Sequence, residues 1–159
     1  MADATLPERV RIVTEALREL GAAGEPVILS ESARTAAEAA AALGCDVGAI
    51  ANSLVFMADG EPLLVMTSGA HRVDTEALAA RLGKERIVRA KPEQVKEATG
   101  QVIGGVAPVG HPTQLETVID ESLEDYPEIW AAAGDAHAVF PTSFAELVRM
   151  TKGVVLKVD

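Results

Sequence analysis

Leu54-Val55-Phe56-Met57-Ala58-Asp59-Gly60-Glu61-Pro62-Leu63-Leu64-Val65-Met66 sets two apolar runs on either side of an Asp-Gly pair. Neither run alternates with polar residues, which is the pattern of a strand covered on both faces. Asp-Gly between strands marks a β-hairpin, because both residues accept the positive φ of a tight turn. Pro62 leaves the loop length open. A hairpin is antiparallel by construction, so a sheet containing it is not wholly parallel.

Working outward, helices and short strands interleave. Upstream, Pro7 opens a helix carrying Val10, Val13, Leu17 and Leu20 at helical spacing, with Gly21 as its stop. Residues 26–29 read as a short strand. Thr35-Ala36-Ala37-Glu38 is a capping box that starts an alanine-rich helix ending near Gly44. Cys45 follows as a buried structural thiol. Downstream, Asp74 caps a helix ending at Gly83, residues 87–89 form a strand, and Pro92 opens a helix stopped by Gly100. Residues 116–120, with Val118 and Ile119 set among Glu116, Thr117 and Asp120, read as a half-buried strand. Residues 129–133 and 137–140 form two strands joined through Gly134-Asp135-Ala136. Ser143-Phe144-Ala145-Glu146 is a second capping box, and residues 154–158 close the chain as a strand. The fold class is α/β: a single domain over residues 1–159, with a mixed sheet, the hairpin at its middle and helices outside.

Length and composition agree. A chain of 159 residues, 48% hydrophobic but only 3% aromatic, builds its core from Ala, Val, Leu and Ile. One cysteine excludes an intrachain disulfide and fits a reducing compartment. Met1-Ala2-Asp3-Ala4-Thr5 lacks a basic segment followed by an apolar one, so no signal peptide is read, and no apolar run is long enough for a bilayer. A cytoplasmic location is expected. The net charge of −10 argues against a broad nucleic-acid surface. The charge is uneven, however. Residues 112–135 hold seven acids and no Lys or Arg, whereas residues 81–111 hold six bases against three acids. A local basic face can meet a short piece of phosphate backbone, or be a solvated helix face.

Val102-Ile103-Gly104-Gly105-Val106-Ala107-Pro108-Val109-Gly110-His111-Pro112 is the second unusual stretch. It is apolar, rich in glycine and proline, and has no Asp, Glu, Lys or Arg. Two readings stand: a rigid loop that offers backbone N–H groups to a ligand, and a buried crossover between strands. The stretch has neither G-x-G-x-x-G nor the Gly-Lys-Ser/Thr ending of a P-loop, which disfavours nucleotide chemistry. His71, His111 and His137 form no i, i+3 or i, i+4 pair and lie near no Cys cluster, so no metal site is expected. No serine sits in a G-x-S-x-G elbow. His71 reads as an exposed turn residue, while His111 and His137 lie at loop–strand junctions, where ligand contacts concentrate.

Residues 104–111, then Val118-Ile119-Asp120-Glu121, then residues 133–140 resemble the YbaK family. These are aminoacyl-tRNA deacylases that include the editing domain inserted in bacterial prolyl-tRNA synthetases and its freestanding relatives. The resemblance runs from Ser53-Leu54-Val55-Phe56 to the last strand. It implies a curved, barrel-like mixed sheet and hydrolysis of the ester between a wrong small amino acid, such as Ala or Cys, and tRNA. No cofactor or metal is implied. The partners would be an aminoacylated tRNA acceptor end and, as a further candidate, an aminoacyl-tRNA synthetase, with no DNA and no membrane. The family's G-x-x-x-P loop falls on Gly104 to Pro108. The resemblance thereby assigns catalytic roles to Gly104, Gly105, Asn52 and His137, and substrate binding to Val106, Ala107, Pro108, Gly110, His111, Gly134 and Asp135. Family members commonly carry lysine at the position of Asn52, and asparagine is neither charged nor a general base at neutral pH. Two function classes therefore stand: a trans-acting deacylase, and a non-catalytic module that binds an aminoacyl group and partners a synthetase.

Overall fold

Helix starts follow the capping chemistry written in the sequence. The computed structural model describes residues 6–159; the N-terminal segment Met1 to Thr5 lies outside the described residues. Helix α1 (Glu8–Glu19) buries Val10, Val13 and Leu17, and strand β1 (Val27–Ile28) follows, short and exposed. Helix α2 (Ala36–Leu43) has both arms of its capping box: the Glu38 N–H donates to Thr35 Oγ1 at 3.1 Å, and the Thr35 N–H to Glu38 Oε1 at 3.2 Å. Cys45 beyond it is half-buried. Strands β2 (Ile50–Ala58) and β3 (Glu61–Ser68), helix α3 (Thr75–Leu82), strand β4 (Ile87–Arg89) and helix α4 (Pro92–Thr99) come next. The chain ends with β5 (Glu116–Asp120), β6 (Ile129–Asp135), β7 (Ala138–Thr142), α5 (Phe144–Thr151) and β8 (Val154–Leu156). At α5 only half of the expected capping box forms. Ser143 Oγ accepts from the Glu146 N–H, but the Glu146 carboxylate takes the Thr142 hydroxyl at 2.6 Å and the Ala23 N–H at 2.9 Å.

β2 and β3 pair antiparallel from Ala51↔Ser68 to Ala58↔Glu61, which leaves Asp59 and Gly60 as a two-residue turn. Their φ values of 50° and 85° are both left-handed, the type I′ geometry that matches strand twist. The sheet runs β1-β7-β6-β2-β3-β5-β8, with β4 paired to β2, so the hairpin lies at its middle. β6 on β2, β5 on β3 and β8 on β5 are parallel, and the other pairings are antiparallel. The sheet is mixed, as expected, and it is not closed: β1 and β8 are its ends.

Side chains of β3 divide between two cores, as a period of two requires. Leu64 and Met66 join Val10, Leu17, Leu147 and Met150 on one face, and Leu63 and Val65 join Phe56, Leu78 and Val118 on the other. The polar residues of β5 are misleading. Thr117 is 5% exposed and Asp120 1%, so this strand is covered on both sides rather than half-buried. β6 also runs further than expected, through Gly134 and Asp135, with a register shift between Ala132 and Asp135. That leaves Ala136 and His137 as the turn into β7, so His137 begins no strand. Among the described residues, no helix is long and apolar enough to cross a membrane.

Candidate functional site

A gap in the pairing of β2 makes the site. Its edge away from β3 is taken by β6 only at Ile50 and Ala51, and by β4 at residues 56–58, with the Ala90 N–H on the Val55 carbonyl at 3.2 Å. Between these points the strand opens onto a cavity of about 390 Å³. Small side chains make up much of its lining, among them Ala33, Ala39, Ala51, Ala90, Ala131 and Ala132. Trp130, Asn52 and Ser53 form polar and aromatic parts of the wall, and Ile103, Gly104 and Val106 bring the glycine-rich loop to it. Arg34 and Arg89 complete the lining, which holds no Asp, Glu, His, Cys or Lys among the described residues. Both arginines are exposed, and neither forms an ion pair among the described residues. The Arg89 guanidinium lies 5.7 Å from the Phe56 ring centroid, a cation–π distance.

Asn52 sits opposite Thr67 in the hairpin, half-buried, and its carboxamide has no hydrogen-bond partner among the described residues. In the loop, backbone donors divide into used and unused. The Gly105 N–H donates to the Val102 carbonyl at 3.0 Å, and the Ala107 N–H to Gln101 Oε1 at 2.6 Å. Pro108 has none to give. The N–H groups of Gly104 and Val106 meet no acceptor among the described residues, and both residues line the cavity.

The structure thus gathers Asn52, Gly104 and Val106 from the expected set. Gly105, Ala107 and Pro108 are buried just behind the wall. Gly105 is pressed on the Asp135 backbone, where an added Cβ would meet three main-chain atoms at 2.7–2.9 Å. Gly110 and His111 face the other way, onto a second cavity of about 270 Å³ shared with Arg9 and Ile12. There His111 Nε2 donates to the Ala107 carbonyl at 2.7 Å, with the proton on that nitrogen. Burial lowers the His111 pKa below its ordinary value, and the carbonyl contact opposes this. Gly134, Asp135 and His137 do not line the main cavity. The Asp135 carboxylate pairs with Arg9 at 2.6 Å and accepts the His137 N–H at 2.9 Å, while the His137 ring stays exposed. Burial by itself would raise the Asp135 pKa; these bonds, from His137 and Arg9, bring it below the ordinary value.

His71 is no bystander of a turn. Its Nδ1 lies 3.0 Å from the buried Asp120 carboxylate, which also accepts the Ser68 and Ser122 N–H groups. Sequence reasoning also passed over Arg34, Arg89, Trp130, Ser53 and Gln101. Arg89 lay in the basic segment already noted; the others carry no local signal.

Comparison with known proteins agrees with this architecture. The family model for the aminoacyl-tRNA editing domain matches residues 30–150. A Bacillus subtilis (strain 168) protein, the uncharacterized protein YwhH, is 30% identical over 118 residues, covering 73% of this chain and 74% of that one. A proline–tRNA ligase of Nitratidesulfovibrio vulgaris (strain DP4) is 30% identical over 117 residues, which is 74% of this chain but 20% of the ligase. Among solved structures, a candidate trans-editing enzyme for prolyl tRNA synthetase superposes with a TM-score of 0.91 at 40% identity. That match covers 98% of this chain and 99% of the other. With the fold, the loop and the family match in agreement, the chain belongs to the aminoacyl-tRNA editing domain family.

Proposed function

We propose that this protein, acting as one editing domain over residues 1–159, is a trans-acting deacylase. It would hydrolyse the ester linking a mischarged small amino acid, such as Ala or Cys, to tRNA. The observation that carries the reading is that Gly104 and Val106, whose N–H groups are unengaged among the described residues, both line an alanine-rich cavity. As water attacks the ester carbonyl, its oxygen gains negative charge, and fixed backbone donors stabilise that charge without reorganising. The tetrahedral intermediate then collapses: the bond from carbon to the ribose oxygen breaks, and the ribose oxygen takes the proton that the attacking water gives up. Free amino acid and uncharged tRNA remain. No lining side chain is a general base at neutral pH, so the attacking water is oriented by Asn52 and by the neighbouring ribose hydroxyl. Arg34 and Arg89 supply cations for the phosphates of the acceptor end.

Asn52 in place of the family's lysine favours one second reading, a non-catalytic aminoacyl-binding module that partners a synthetase. Deacylation of alanyl-, cysteinyl- and seryl-tRNA by wild type, Asn52→Ala and Asn52→Lys separates the two. If the protein is a deacylase, Asn52→Ala slows turnover, and Asn52→Lys preserves it or raises it several-fold. The gain follows because a charge-assisted bond to phosphate is about twice as strong as a neutral one. Wild type inactive on every substrate supports the binding module. Turnover indifferent to both substitutions removes Asn52 from the mechanism.

Binding to tRNA should be weak and confined to the acceptor end. The log–log salt slope is expected at about 2–4, with Arg34→Ala and Arg89→Ala each lowering it by about 0.7 on single-stranded ends. Titration at several salt concentrations checks this; a slope near ten, or slopes unmoved in both variants, would contradict it.

A further inference from the structure

We propose that Gln101 is the positioning residue of the glycine-rich loop, holding its backbone so that the Gly104 and Val106 N–H groups keep their places at the cavity wall. The proposal rests on the deacylase reading for its kinetic consequence, and on the geometry alone for its structural one. Between α4 and β5 the chain makes no helix or strand. Its buried backbone groups therefore need partners from elsewhere. Gln101 is 2% exposed and supplies two of them with one carboxamide: Oε1 accepts from the Ala107 N–H at 2.6 Å, and Nε2 donates to the Val109 carbonyl at 3.2 Å.

The clamp is itself anchored. The Gln101 N–H donates to Thr99 Oγ1 at 3.0 Å, and Thr99 Oγ1 donates to the Val95 carbonyl at 2.7 Å. Val95 belongs to α4 and lines the cavity. The loop is thus referenced to the same helix that walls the site. Ala107 is gripped from both ends, its N–H by Gln101 and its carbonyl by His111. Gly105 is fixed likewise, its carbonyl accepting the Gly134 N–H at 2.9 Å. Val106, between two pinned residues, has little freedom left. Only glutamine meets these demands at this length: asparagine is shorter, glutamate lacks the donor, and methionine lacks both functions.

The variants Gln101→Met and Gln101→Glu test this, with three readouts: kcat and KM on mischarged tRNA, thermal unfolding to set the folded fraction, and the amide NMR signals of Gly104 and Val106. Gln101→Met should lower kcat per folded molecule about tenfold to a hundredfold, as small misplacements of catalytic groups do. KM should stay within about twofold, because the lost interaction belongs to the transition state. The Gly104 and Val106 signals should shift or broaden. Gln101→Glu should recover turnover relative to wild type as pH falls from about 8 to about 6. Burial raises a carboxyl pKa, and the protonated acid restores the donor to Val109. A residue that only stabilised the fold would give no such recovery in kcat per folded molecule.

Normal kcat per folded Gln101→Met overturns the proposal, as does lost turnover with unmoved Gly104 and Val106 amides. If wild type itself hydrolyses no aminoacyl-tRNA, the deacylase reading fails. The amide signals then decide the clamp alone: moved signals support it and unmoved signals overturn it.

Discussion

Gly105→Ala is expected to destabilise the fold by roughly 3 kcal/mol or more, the upper end of what overpacking does, and, on the proposed deacylase reading, to abolish turnover in what remains folded. The atoms in its way are the Asp135 C, Cα and N, at 2.7, 2.8 and 2.9 Å. All three are main chain, and they belong to a strand end already fixed by the Arg9–Asp135 pair and by the Gly134 N–H on the Gly105 carbonyl. Neither partner can yield by rotating a side chain. Thermal unfolding should show a midpoint lowered by about 6–12 °C for a chain of this length. Gly60→Ala is the control: its φ is +85° but nothing lies within 4 Å of an added Cβ, so it reports backbone strain without a clash. An unchanged midpoint for Gly105→Ala would show that the loop and β6 separate easily, and would remove the argument that the loop is rigid.

Asp120→Ala should cost about 3–5 kcal/mol, the range for breaking one partner out of a buried charged network. Asp120 is 1% exposed and accepts from the Ser68 N–H at 2.9 Å, the Ser122 N–H at 3.0 Å, Ser122 Oγ at 2.8 Å and His71 Nδ1 at 3.0 Å. Removing it strands these donors and loosens the ends of β3 and β5 from one another. The same network sets an acid limit. Burial by itself would raise the Asp120 pKa, but the hydrogen bonds from Ser122, Ser68 and His71 bring it below the ordinary value. The folded state thus binds this proton less readily than the unfolded chain does. Its stabilisation is complete above the ordinary carboxylate value of about 4, and is lost as pH falls through the lower folded one. Chemical denaturation of wild type and Asp120→Asn across this range measures it. The acid limb should be shallower in the variant; parallel curves would assign acid sensitivity to other groups.

These two residues also show how far the sequence could be read. The hairpin was legible because its signal is local. Asp59-Gly60 supplies the two positive φ values, and unbroken apolar runs announce coverage on both faces. Helix starts at Thr35 and Asp74 were legible for the same reason, since a cap acts within four residues. Asp120 was misleading, because Glu116, Thr117 and Asp120 beside Val118 and Ile119 look like a half-solvated strand. Its true role depends on donors about fifty residues away, on Ser68 and His71, which no window of sequence contains. The glycine-rich loop stood out by composition, but composition does not say which amides are spent.

The sequence by itself determined the order of helices and strands and the antiparallel hairpin at the centre of the sheet, and it singled out the stretch at residues 102–112 as a candidate. Each follows from local sterics, capping or hydrophobic periodicity. Tertiary structure alone decided which loop residues face the cavity. The Gly105 and Ala107 amides are engaged by Val102 and Gln101, so Gly104 and Val106 hold the unengaged ones. It also placed His137 outside the main cavity, brought Arg34 and Arg89 to its lining, and opened the gap along β2 where β6 and β4 pair with different ends of the strand. Hydrogen-bond accounting and strand divergence are properties of the assembled chain, because each depends on partners whose separation in sequence carries no local trace.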